Sequence, residues 1–336
     1  MYNPPRFSVN AANDAKVTKT AHHPLPLDTY TILHIRPGPP WPEPGKTSQI
    51  AADAPFELSS DIWIERFDKE FAANIQRACE PANHNIDNHV WDRHLYAFVR
   101  HETEAERQQR QQPGTVVRDE GIIPLFTVMA LSRLVRPTTI GNRYCAKIYP
   151  TPATDPVIQA LTISGANPDV TIADVSRDWL TPDDGPELRR LTPWVSPSKR
   201  MHPRIHRAFW NHEDAMRTYF LDFRFPIVVA GLESLTTVEK GRGLTDRFVR
   251  RVAKLATDFA IHLSETEIRQ AYQLRSEVTH GRSFLYDLSG VLPQSEHRPL
   301  YDKLESLLRV TVRTCLLDEA FGLRFATDQT VLKNYP

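Results

Sequence analysis

YQLRSEVTHG, residues 272–281, places an arginine and a histidine five positions apart and follows them at once with a glycine. Upstream, Ser264 and Glu267 have the spacing of a capping box, in which each side chain satisfies a backbone N–H of the first helical turn. Gly281 is the residue type that most easily takes the left-handed conformation just past a helix end. A start signal and a stop signal together predict a helix over residues 265–280. At about 100° per residue, Ile268, Ala271, Tyr272, Arg275 and Thr279 share the face expected to look at the core. A permanent charge at Arg275 is unfavourable there unless it is paired or used.

Spacing alone proves little, because 31 arginines and 13 histidines make such pairs easily by chance. Two Arg-x4-His pairs occur, Arg207 with His212 and Arg275 with His280. The neighbours separate them. Ile205, Ala208, Phe209, His212, Met216, Tyr219, Phe220 and Phe223 form one helical stripe with Arg207 on the opposite side, so His212 sits where a packed core histidine would sit. The run Tyr272, Leu274, Arg275, Ser276, His280, Gly281, by contrast, resembles the signature of the HEPN superfamily. The match is nearest to its ApeA-like group, in which a run of this type closes a long helix. The segment GLESL at residues 231–235, with Glu233 as its one charge, is similar to that group's apolar helix. The resemblance covers residues 200–321 and says nothing about the first half of the chain.

That resemblance implies an all-α bundle and a metal-independent endoribonuclease, serving antiviral defence or stress, that attacks RNA with its own ribose 2′-hydroxyl. His280 would act as general base or acid, since imidazole titrates near neutral pH. Arg275 would hold the phosphate and stabilise the developing charge with its fork of donors. Ser276 follows the arginine, where asparagine, aspartate or histidine is more usual. Glu233 and Tyr272 would support the site. Positions five apart on one helix diverge by about 140°. Arg275 and His280 therefore meet at one phosphate only if the helix unravels near Gly281 or a second copy contributes, and family members dimerise so that two motifs meet across a two-fold axis. The alternative is a non-catalytic binding or dimerisation module, with Arg275 locked in an ion pair. Glu233 discriminates between them, and its expected polar partner is Arg275 or Arg224.

Forty-one basic and forty-one acidic residues cancel, so overall charge does not advertise a nucleic-acid partner. Any RNA site must be a local patch. Arg247, Arg250, Arg251 and Lys254, at i, i+3, i+4 and i+7, are the candidates beside the apolar row Phe248, Val252, Leu255, Phe259, though such a stripe is also what a solvated face looks like. Cys79, Cys145 and Cys315 are odd in number and far apart, which suits reduced thiols. No run of about 18 apolar residues and no signal-peptide order appears, so a cytoplasmic protein without membrane association is expected. His84, His89 and His94 recur every five residues and so share no helical face; surface histidines are expected there, with no metal site and no cofactor. No glycine-rich phosphate cradle occurs.

Twenty-two of the 27 prolines precede residue 200, which predicts a loop-rich first part and a helical second part. The expected organisation is a poorly ordered segment 1–27, an α+β domain over 28–195, and an all-α bundle over 200–325. Strands are expected at 30–35, 89–100 and 157–164, helices at 63–78 and 121–135, an extended loop at 36–46, and an exposed helix end or linker at 102–112. In the bundle, Pro226 is expected to kink or restart the chain, followed by an apolar helix over 227–238. Further helices are expected at 246–262, 265–280 and 298–321, with a loop at 282–294. The core stripe of the last is Leu300, Leu304, Leu307, Leu308, Thr311 and Cys315.

Overall fold

The computed structural model describes residues 30–36, 56–66, 96–101, 104–105, 108, 122–137, 141–149, 157–162, 180, 182–196, 198–218, 221–239, 241, 243–281 and 297–336. The segment 1–27, the proline-rich stretch 37–46, the histidine run 84–94 and the loop 282–294 lie outside them. The chain divides into two compact units, residues 1–196 and 197–336.

The first unit is built on an antiparallel sheet. Its strands are β1 (Tyr30–Arg36), β2 (Phe56–Glu57), β3 (Ile62–Arg66), β4 (Tyr96–His101), β5 (Gly141–Tyr149) and β6 (Val157–Thr162), in the order β2-β3-β4-β1-β5-β6. The expected strands at 30–35, 89–100 and 157–164 correspond to β1, β4 and β6. The helix expected from residue 63 is corrected: residues 62–66 form β3, paired with β4 from Ile62↔Arg100 to Arg66↔Tyr96. The reason is period two, since Ile62 and Ile64 are buried on one side while Trp63 between them is not. Helix α1 (Ile122–Val135) lies against β1 and β4. Its buried residues from Val128 to Val135 wrap the whole helix, because α2 (Gly185–Leu191) and the 3-10 turn Thr192–Val195 cover its other flank. Arg136, just past α1, bonds both oxygens of the buried Asp184, at 2.7 and 3.2 Å. This two-pronged pairing is the strong form of the ion pair, and it pins α2 to the end of α1.

The second unit is helical: α3 (Pro203–Arg217), α4 (Leu221–Thr236), α5 (Leu244–Asp258), α6 (Glu265–Thr279), α7 (Arg298–Leu317), the short α8 (Glu319–Gly322) and α9 (Asp328–Asn334). The central helix is α4, which touches α3, α5, α6 and α7. Its sequence explains this: Phe225, Val228, Val229, Leu232 and Leu235, at i, i+3, i+4, i+7 and i+10, form one fully buried stripe, while Ala230, Glu233 and Ser234 on the other side are half-buried. Gly231 permits the closest approach, because a Cβ there would stand 2.6 Å from a methyl of Leu308 on α7. Of the two expectations for Pro226, a kink or a restart, the restart is corrected: the proline lies inside the helix, five residues past Leu221. Arg217 ends α3, so Phe223 belongs to the next helix and is 61 % exposed rather than part of the α3 stripe. Tyr219 and Phe220 of that stripe lie outside the described residues. The expected helix 298–321 breaks at Asp318, whose side chain caps α8 by accepting from the Phe321 N–H. The six core positions read from α7 are buried. Among the described residues, no helix is long and apolar enough to cross a membrane.

Candidate functional site

Helix α6 forms as its caps require. The Ser264 hydroxyl accepts from the Glu267 N–H at 3.2 Å, and the Glu267 carboxylate accepts from the Ser264 N–H at 2.8 Å. Lys303 of α7 adds a bond to the same carboxylate at 2.6 Å. The Lys303 bond and the cap together hold the Glu267 carboxyl at about 2, from 4.5. At the other end the His280 N–H donates to Ser276 O, the Gly281 N–H to Val278 O, and Gly281 takes φ +67°. Helical geometry therefore runs up to His280, and the 140° divergence between positions 275 and 280 applies (about 100° per residue).

The core-facing row of α6 is Ile268, Ala271 and Leu274, not the row containing Arg275 and Thr279. Leu274 shifts the centre of burial, which leaves Arg275 and Tyr272 at the edge of the row, half-buried, and Thr279 exposed. From that edge the Arg275 guanidinium reaches Glu233 of α4, Nη2 to Oε2 3.0 Å, with side chains 34 % and 18 % exposed. Glu233 thus has one of its two expected partners. The Tyr272 phenol lies in the field of the same carboxylate; burial and the Glu233 charge raise its pKa, while Arg275 opposes them. The Tyr272 ring packs on Phe248 of α5 at 5.0 Å between centroids. Three helices thus meet in one cluster: Glu233 pairs with Arg275, and Tyr272 of the same helix packs on Phe248, with solvent on one side. Ser276 is half-buried beside it, and His280 is exposed at the helix end.

The four-residue basic stripe is not one surface. Arg250 and Lys254 are exposed, but Arg251 is among the largest fully buried side chains. Its Nε donates to Tyr335 O at 2.9 Å and its Nη1 to Thr236 O at 2.9 Å. Both terminal nitrogens grip Glu239, at 2.8 and 2.6 Å. Those bonds, helped by the charge of Arg247, hold the Glu239 carboxyl at about 2. Arg247 lies 3.7 Å from the same carboxylate. Arg251 is therefore a fastening between the C-terminal end of α4 and the last residues of the unit, and its donors are unavailable to a phosphate.

Sequence reading missed a second polar centre, between α3, α4 and α7. His212 is buried, as its place in the stripe implies, and bonds Glu305 through Nε2 at 2.9 Å. Arg309 donates to the same oxygen at 3.1 Å. Burial alone would raise the Glu305 carboxyl, yet His212 and Arg309 hold it below the ordinary value. Nearby, the buried Arg224 donates from Nε to Thr218 O, and burial lowers its pKa. A signal existed: Tyr301, Glu305 and Arg309 follow each other at i, i+4, i+8, one position behind the Leu300, Leu304, Leu308 row. The two Arg-x4-His pairs are thus opposites. Arg207 is exposed and His212 sealed, whereas Arg275 is half-buried and His280 open. His84, His89 and His94 lie outside the described residues; among the described ones, no group of three histidine, cysteine, aspartate or glutamate side chains is placed to hold a metal ion. Comparison with family models, with curated proteins and with solved structures finds no match.

Proposed function

We propose that the helical unit is a HEPN-type, metal-independent endoribonuclease that works as a homodimer. The observation that carries this reading is the placement of the motif pair: Arg275 stands half-open at the edge of α6, and His280 is exposed at the end of the same helix. Glu233 engages one terminal nitrogen of the guanidinium at 3.0 Å, and a guanidinium carries five N–H donors. In the reaction, His280 removes the proton from a ribose 2′-hydroxyl as that oxygen bonds to the adjacent phosphorus. The bond from phosphorus to the 5′-oxygen breaks, and that oxygen takes a proton from the second copy's acid. The products are a 2′,3′-cyclic phosphate and a 5′-hydroxyl. Arg275 stabilises the charge that builds on the phosphoryl oxygens. Two copies supply what one helix cannot, because the pair on one chain points in different directions, and closed two-fold assembly is the commonest oligomer.

The test incubates the full chain, in excess EDTA, with a mixed-sequence single-stranded RNA and with the same sequence lacking 2′-hydroxyls. Cleavage of the RNA alone, leaving cyclic phosphate ends, is expected. Cleavage of both strands, or loss of all cleavage in EDTA, overturns the mechanism. Light scattering that finds only monomer at micromolar concentration removes the shared site.

The Glu233–Arg275 pair itself favours a second reading, a non-catalytic helical dimerisation module in which the arginine serves only α4 and α6. If His280→Ala leaves cleavage unchanged, that reading stands.

A further inference from the structure

The exposed face at the start of α3 belongs to neither the motif site nor the Arg250–Lys254 stretch. In a chain whose charges cancel, residues 197–212 carry Lys199, Arg200, Arg204 and Arg207 with no aspartate or glutamate. Arg204 is committed: it donates to the Ser234 and Thr237 carbonyls at 3.1 and 2.8 Å and pairs with Asp328. Arg200 and Arg207 are exposed and make no ion pair among the described residues.

Beside them stands an aromatic shelf. His206 and Trp210, one turn apart, share a face of α3 that lies next to Arg207. The indole N–H donates to His206 Nε2 at 3.0 Å, with the rings edge-on, centroids 6.3 Å apart. From below, the buried Phe209 meets Trp210 edge-to-face at 5.0 Å. The half-exposed indole is therefore held in one orientation with its polar atom already satisfied, which leaves its surface for stacking rather than hydrogen bonding. The acid-free stretch ends on Glu213, which is buried, and on Asp214, which is exposed one turn beyond Trp210 on the same side of α3. Burial and Glu213 raise the Asp214 carboxyl, and the charge of Arg217 acts against them.

We infer that the α3 face of His206, Arg207 and Trp210, with the exposed Arg200 three residues before the helix, binds single-stranded RNA, with phosphates on the arginines and a base stacked on Trp210. Nucleic-acid strands are held without sequence preference by this combination of cations and fixed aromatics. An anionic membrane fits less well, because insertion needs several apolar side chains and this face offers one indole among polar neighbours. The surface goes beyond the cleavage reading and stands without it.

The experiment measures binding of the full chain to a fluorescein-labelled 2′-O-methyl oligoadenylate, which 2′-hydroxyl attack cannot cut, by anisotropy across a salt series. Arg200→Ala with Arg207→Ala is expected to reduce the slope of log affinity against log salt by about 1.4, near 0.7 for each lost phosphate contact on a single strand. Trp210→Ala is expected to weaken binding by roughly five- to a hundredfold, the range for loss of one stacked base. Trp210→Phe, which keeps a ring over Phe209, should recover most of that loss, and this separates stacking from a fold defect. Unchanged affinity and slope in the double arginine variant overturn the proposal, as does absence of oligoadenylate binding. Binding to vesicles of phosphatidylserine and phosphatidylcholine that needs these same residues, with none to oligoadenylate, overturns it in favour of a membrane surface.

Discussion

Arg251 and Arg275 both meet a glutamate supplied by the α4 region, yet their surroundings differ in almost every respect. Arg251 is 2 % exposed and has a carboxylate and two backbone carbonyls as partners. Arg275 is 34 % exposed, with a single nitrogen on Glu233. A guanidinium enclosed by acceptors on every side is part of the scaffold, and removing it strands groups that water cannot reach. One that is held at a single point and otherwise open stays available to an incoming anion. Glu233 then orients rather than consumes the charge. Two arginines with one kind of partner thus differ in whether their remaining donors are used up.

The largest effect that sharpens this contrast is on chemistry. His280→Ala should lower RNA cleavage by about a hundredfold to ten-thousandfold, the usual contribution of a positioned acid or base. Its thermal melt should match the parent, since the side chain is exposed. A matching loss of melting temperature would place His280 in the scaffold instead.

Next comes stability. Arg251→Ala should cost about 3 kcal/mol, through the two buried carbonyls of Thr236 and Tyr335 that it leaves without a donor. Arg275→Ala should cost under about 1 kcal/mol, as a screened, half-exposed pair does. Urea titration of both variants checks the difference, and equal losses would break the comparison.

A third effect is on acid stability. Glu239 and Glu267 both have folded values near 2 against 4.5 ordinarily. A carboxyl depressed on folding contributes stability that is complete above its unfolded value and is lost as pH falls through the folded one. The melting temperature should therefore decline from pH 4.5 toward pH 2. Glu239→Gln should remove its part of that decline, and a slope unchanged in this variant would show that the clasp is not what titrates.

A local change is Ser264→Ala, which should cost about 1 kcal/mol through loss of one capping bond. Because the cap lies fifteen residues from Thr279 along α6, cleavage should be unaffected, and a drop in activity would mean that the helix start steers its end.

These contrasts also mark what was legible in the sequence. The start and stop of α6 could be read because caps are local: Ser264, Glu267 and Gly281 act on backbone groups within one turn. The α7 stripe could be read because one face of one helix faces a core. Arg251 was misplaced although its angle on the helix lies only about 40° from Leu255. What makes that angle tolerable comes from elsewhere, from Glu239, Thr236 and Tyr335, as far as 84 positions away. Arg275 was set too deep for a related reason, since Leu274 turned the helix toward its other side. In the first unit, Ile62 and Ile64 alternate over too short a run to outweigh the mixed residues that follow, and β5 was missed because GNRYCAKIY does not alternate cleanly. Its pairing with β1 and β6 decides it.

The Arg251 clasp also bears on how the chain acquires its fold. Its bond to Glu239 spans 12 residues, whereas its bond to Tyr335 spans 84. Closing a longer loop carries a larger entropic penalty, which grows as the logarithm of its length. The near contact can therefore form early, with the α4–α5 turn, while the far one waits until α6, α7 and the last turns are in place. An interaction absent from the transition state acts on the rate of unfolding and leaves the rate of folding alone. Loss of the Tyr335 bond is therefore expected to speed unfolding of the helical unit more than it slows folding, which stopped-flow unfolding and refolding would check.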